Sequence, residues 1–227
     1  MKSIPDRGVA AVAVMLTVLM VAACAGLERR PPATAGMELP YGFYGFDPSS
    51  DRMRPVEAAM AGEGLELVFR VVSGTIMGAP GGRPSWSVPV LPGGTFELPL
   101  PGAMDVPAER LASAPLEIEP ADTRIARLAT FHAYPEYGMF LGGGCFVDTR
   151  SGDYLLLVYF SNPARLSGSA RGPAGTYEYE VTVERPGWAW LAVRERDVGS
   201  YRVRPYAGPA DAIEFGVLLP PAMIGGA

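Results

Sequence analysis

Between Thr176 and Glu184 the chain alternates strictly. Tyr177, Tyr179, Val181 and Val183 interleave with Glu178, Glu180, Thr182 and Glu184. A period of two sorts these side chains onto opposite faces of a strand, whereas a helix would scatter them around its circumference. The same pattern runs through LELVFRVV (65–72), where Leu65, Leu67, Phe69 and Val71 share one face. DYLLLVYFS (153–161) is apolar on both faces and predicts a central strand. Further strands are expected in YGFYGF (41–46), SWSVPVL (85–91), TFELPL (95–100), LEIE (116–119), IARLATFHA (125–133), WAWLAVR (188–194), SYRVRPY (200–206) and IEFGVLL (213–219).

Turns separate these runs. The 28 glycines and 23 prolines favour short strands over long helices. Pro92-Gly93-Gly94 reads as a hairpin turn, and Arg185-Pro186-Gly187 places Pro and Gly at the central positions of a type II turn. Pro89 and Pro99 remove ladder donors, which assigns their strands to an edge or a bulge. Helical character is expected only in VEAAMA (56–61) and in DVPAERLA (105–112), where Asp105 can cap and Pro107 suits the first turn. The fold class is therefore all-β, an antiparallel β-sandwich. The expected division is two small sandwiches in tandem, 41–134 and 145–220, with a linker at 135–144 and a loose tail at 221–227. The last strands are expected to form a meander.

The formal charge of −5 leaves no basic footprint for nucleic acid. Apart from Lys2 the cationic side chains are all arginine, as a GC-rich coding sequence produces.

The N-terminus carries separate information. Lys2 and Arg7 precede an apolar run from Val9 to Met20, interrupted only by Thr17. Small residues then lead to a cysteine: Val21-Ala22-Ala23-Cys24. A charged start, an apolar stretch and a small-residue exit have the layout of a secretory signal. The four residues resemble the lipobox of a bacterial lipoprotein. That resemblance implies a signal peptide at 1–23, cleavage between Ala23 and Cys24, a diacylglyceryl (palmitate-type) anchor on the Cys24 thiol, and a flexible tether over 24–40. Ala25, standing where Asp tends to retain lipoproteins in the inner membrane, resembles the outer-membrane class. The alternative is an uncleaved membrane helix over 9–27, a stretch without charge that is just long enough to span a bilayer.

Two local resemblances touch the body. Residues 73–101 are similar to transthyretin-like regulatory domains, in the Gly-x-Ile start and the Gly-x-Phe-x-Leu hairpin. Residues 154–193 are similar to the closing half of uncharacterised bacterial lipoproteins, which end in a strand, a Gly-Trp turn and another strand. Neither implies a catalytic residue.

Candidate chemistry is sparse. His132, the only histidine, is a weak catalytic candidate with Cys145 and Asp148 as base, thiol nucleophile and orienter. The blander expectation is a packed imidazole and a buried thiol. One histidine does not build a zinc site. The acidic loops Asp47–Asp51 and Asp148–Asp153 lack EF-hand spacing, and Glu178, Glu180 and Glu184 read as the wet side of a sheet. No metal and no cofactor is expected. Trp188 and Trp190 lie two apart and share a face, which either fills the core or offers stacking surface to a sugar or a protein partner. The sequence thus points to a lipid-anchored protein of the cell envelope, a non-catalytic binding or structural module. It would meet the membrane through its lipid, and an envelope protein or polymer through its body. The rival is an envelope hydrolase using Cys145 and His132.

Overall fold

The alternation seen in the sequence becomes, among the described residues, fifteen strands in a computed structural model. The structure describes residues 33–47, 52–56, 64–76, 85–103, 106–111, 115–134, 143–172 and 174–219. In chain order the strands are β1 (Ala33–Asp47), β2 (Arg52–Pro55), β3 (Glu66–Ser73), β4 (Ser85–Pro89), β5 (Thr95–Pro101), β6 (Glu109–Arg110), β7 (Glu117–Glu119), β8 (Arg124–Tyr134), β9 (Gly143–Asp148), β10 (Tyr154–Phe160), β11 (Ala164–Gly172), β12 (Gly175–Val183), β13 (Gly187–Asp197), β14 (Ser200–Pro205) and β15 (Ile213–Leu218). A single 3-10 turn at Ala210–Ala212 precedes β15. The protein is all-β. Among the described residues no helix is long and apolar enough to cross a membrane.

β10 organises the molecule. One of its edges pairs with β13 along its whole length, from Tyr154 opposite Val193 to Phe160 opposite Gly187. The opposite edge is divided: Tyr154 and Leu155 pair with β9, and Leu157 to Phe160 pair with β8. Two sheets diverge from that division. One runs through β9, β15 and β1 to β2, with β5 on the N-terminal half of β1. The other runs through β8 and β3 to β4. Their inner faces meet in a core centred on Phe69, whose ring stacks on Phe96 and Phe146 at 5.8 and 6.2 Å and tilts against Phe215 at 5.5 Å. Gly144 makes room here, because a Cβ at that position would enter the Phe215 ring.

From the other edge of β10 the sheet continues through β13, β14, β12 and β11 to β7. It folds over a second core of Val158, Phe160, Leu166, Tyr179, Leu191 and Val203. β10 therefore gives Leu155, Leu157 and Tyr159 to the first core, and Val158 and Phe160 to the second. A strand read as apolar on both faces is buried on both.

Several expectations need correction. The ladder does not stop at 135–144: β8 pairs with β10, β15 with β1, and β7 with β11, and the first core draws on residues from Leu39 to Leu219. Two pairs, β1–β15 and β12–β14, are parallel. The end of the chain is not a meander. β14 turns back along β13 through Gly199, and its free edge pairs with the start of β12. Gly175 permits this, since its backbone lies so close to Gly199 that any side chain would strike it. β1 starts at Ala33, so residues 33–40 of the expected tether are paired with β5. The expected helix at 105–112 is replaced, where described, by the bridge of Glu109 and Arg110 to β8, whose ladder bonds outweigh a short isolated helix. Residues 57–61 of the other helical expectation lie outside the described residues. Pro89 and Pro99 do mark edges: among the described residues β4 pairs with β3 alone and β5 with β1, and the Pro92-Gly93-Gly94 turn joins them through a bridge of Leu91 to Thr95.

Candidate functional site

The catalytic candidates lie on the strands flanking β10. Cys145 sits on β9 opposite Gly216 of β15, and burial pushes its thiol up to about 12. At neutral pH it is a neutral thiol, the unreactive form of the group. Asp148 is committed to its own turn. Its Oδ1 accepts from the Arg150 N–H at 2.9 Å and its Oδ2 from the Ser151 hydroxyl at 2.9 Å. Burial works to raise the Asp148 carboxyl, but these hydrogen bonds outweigh it and hold the group below its usual value. His132 pairs through its backbone with Val68 of β3, and its side chain lies outside the described residues.

Three of the acidic residues weighed for cations have arginine partners. Glu178 receives Arg196 at 2.9 Å, Glu180 receives Arg204 at 3.0 Å, and Asp153 receives Arg194 at 2.7 Å. Among the described residues, no three His, Cys, Asp or Glu side chains gather into a metal-holding group.

Trp188 and Trp190 lie together on one face of β13, each half-buried against the first core. Trp190 stands edge-to-face with Phe146 at 4.9 Å. Trp188 meets Tyr159 at 5.6 Å and donates its Nε1–H to the Pro101 carbonyl at 3.1 Å. Both indoles also line an open groove of about 620 Å³ with Tyr206, Pro186, Glu184 and Arg185. Tyr206 is fixed there by its N–H, which donates to the Trp190 carbonyl at 2.9 Å, and by its hydroxyl, which donates to the Pro209 carbonyl at 3.1 Å. The two alternatives read from the sequence are both partly realised, because each ring anchors in the core and also borders solvent.

No family model, curated protein or solved structure matches this chain. The site must be read from its own chemistry.

A second hollow of about 380 Å³ adjoins the groove, and Pro205, Tyr206 and Gly208 border both. Four arginines line it, Arg194 and Arg196 from β13 and Arg202 and Arg204 from β14, together with the carboxylates of Asp148 and Asp153. Sequence reasoning treated these arginines as compositional. Their signal was the repeated spacing of two, Arg194 with Arg196 and Arg202 with Arg204, which places each pair on one strand face.

Proposed function

We propose that this is a lipid-tethered, non-catalytic protein of the cell envelope whose β body binds a surface polymer. The single observation that carries the binding part is the groove beside β13, where Trp188 and Trp190 combine anchored indoles with an open side. Aromatic rings held rigid by a sheet offer large apolar area at little conformational cost. The non-catalytic part is supported by a thiol held neutral at Cys145 and a carboxylate at Asp148 occupied by turn hydrogen bonds. The tether rests on the resemblance of residues 21–24 to a lipobox. Cleavage at Ala23 would leave residues 25–32 between the lipid and β1, eight residues that reach about 25 Å when extended.

Co-sedimentation with purified envelope polysaccharide tests this reading. The full chain in detergent is expected to pellet with the polymer. Trp188→Leu and Trp190→Leu are expected to stay in the supernatant while still folded, with lowered thermal midpoints because each indole packs on the first core, and Cys145→Ser to pellet like the parent. A full chain that never pellets, or tryptophan variants that pellet normally, would contradict it.

A further inference from the structure

The even-numbered residues of β13 run Trp188, Trp190, Ala192, Arg194, Arg196 along a single face. The indoles and Ala192 pack toward the first core, while the arginines emerge into the second hollow. β14 repeats the order beside it, with Arg202 directly opposite Arg194, Arg204 opposite Ala192, and Tyr206 continuing past the end of the strand toward Trp190. One sheet face thus changes from aromatic to cationic along its length.

Three of the four guanidiniums are held by carboxylates: Arg196 and Arg204 in exposed pairs of the kind that water screens, Arg194 in a forked pair with the largely buried Asp153. Arg202 differs. Among the described residues no carboxylate lies within ion-pair distance of it, and its Nε is buried without an acceptor. Across the ladders Arg202 stands between Arg194 of β13 and Glu178 of β12, and both of these are engaged elsewhere, Arg194 by Asp153 and Glu178 by Arg196. A guanidinium fork matches a carboxylate or a phosphate through two parallel hydrogen bonds.

The distance between the two ends decides the ligand's shape. Trp190 and Arg194 are four residues apart on one strand, about 13 Å. A chain of sugar rings spans that length, and a free anion or a single sugar does not. We propose that the two adjoining hollows form one extended site for an acidic glycan, with Trp188, Trp190 and Tyr206 stacking on sugar rings and Arg202 receiving a carboxylate. This deepens the reading of the aromatic groove and rests on it.

The test titrates the full chain in detergent with a galacturonic acid hexamer, with its fully methyl-esterified counterpart, and with inorganic phosphate, following tryptophan fluorescence. The acid hexamer is expected to bind and to change the emission, and the ester to bind at least tenfold more weakly. Arg202→Ala is expected to weaken the acid about tenfold while leaving the ester unchanged, and Arg202→Lys, which keeps the charge and loses the fork, to fall between. Equal binding of acid and ester, phosphate binding as tightly as the hexamer, an Arg202→Ala variant that binds normally, or no hexamer binding at all would each overturn the proposal. Persistent co-sedimentation with envelope polysaccharide alongside such a result would leave the broader reading standing and remove only this one.

Discussion

Leu157 and Val158 are adjacent on β10, 1% and 0% exposed, and they belong to different cores. The peptide unit between them joins the Phe69 cluster to the one around Tyr179. Each core therefore loses a wall if β10 moves, which couples the two halves of the chain mechanically.

The coupling predicts cooperative unfolding. Leu157→Ala should cost about 2–5 kcal/mol, the range for a buried leucine truncated in a packed core. The loss should appear in a single denaturant transition followed by both tryptophan fluorescence and far-UV circular dichroism. Two separated transitions, with only one shifted by the substitution, would mean that the cores fold independently.

Cys145 should be chemically silent. With its thiol pushed up to about 12 by burial, it is expected to react with an aromatic disulfide reagent at pH 8 at least a hundredfold more slowly in the native protein than after denaturation. Burial lifts the group above the ordinary thiol value of 9.0, so the folded state holds this proton more tightly than the unfolded chain. The stability linked to it is fully present below pH 9 and declines as the pH climbs toward 12. Cys145→Ala should flatten that alkaline decline, as followed by thermal midpoints across the range.

Asp148 should matter to stability and not to chemistry. Its hydrogen bonds with Arg150 and Ser151 close the turn between β9 and β10, and Asp148→Ala should cost about 1–3 kcal/mol by leaving them unmet. Its carboxyl is held below the ordinary aspartate value of 3.8, so the contribution is present above that pH and disappears as acid protonates the folded form. Midpoints of parent and variant measured in urea should converge as the pH is lowered below about 4.

Gly175 should tolerate no side chain. Its φ of +150° and its contact with the Gly199 backbone join the starts of β12 and β14, where Thr176 donates to the Gly199 carbonyl at 2.9 Å. Gly175→Ala is expected to destabilise by about 1–3 kcal/mol. Hydrogen exchange should localise the loss to β12 and β14, and unchanged protection there would contradict the assignment.

What could be read from the residues divides by range. β10 and β12 were legible because burial of one or both faces is written in the local pattern: Tyr177, Tyr179 and Val181 are inside, as alternation requires. The insertion of β14 between β12 and β13 was not. Parallel pairing between Glu178 and Arg202 depends on Gly175 and Gly199 approaching closely, and neither glycine signals its distant partner. Residues 33–40 read as tether because the stretch up to Gly36 is small and proline-containing without apolar periodicity, although Leu39 is 2% exposed and β5 supplies its ladder. Trp188 and Trp190 could be assigned to one face from their spacing alone. The arginine-lined hollow beside them could not, because it is assembled only when β14 crosses back along β13.

The proposed lipid on Cys24 would hold this sheet-built body at a membrane, and metabolic labelling with radioactive palmitate detects that lipid. Cells expressing the full chain should yield a labelled protein lacking residues 1–23, and Cys24→Ser should yield none. An unlabelled parent protein, or a serine variant that still carries label, would contradict the account.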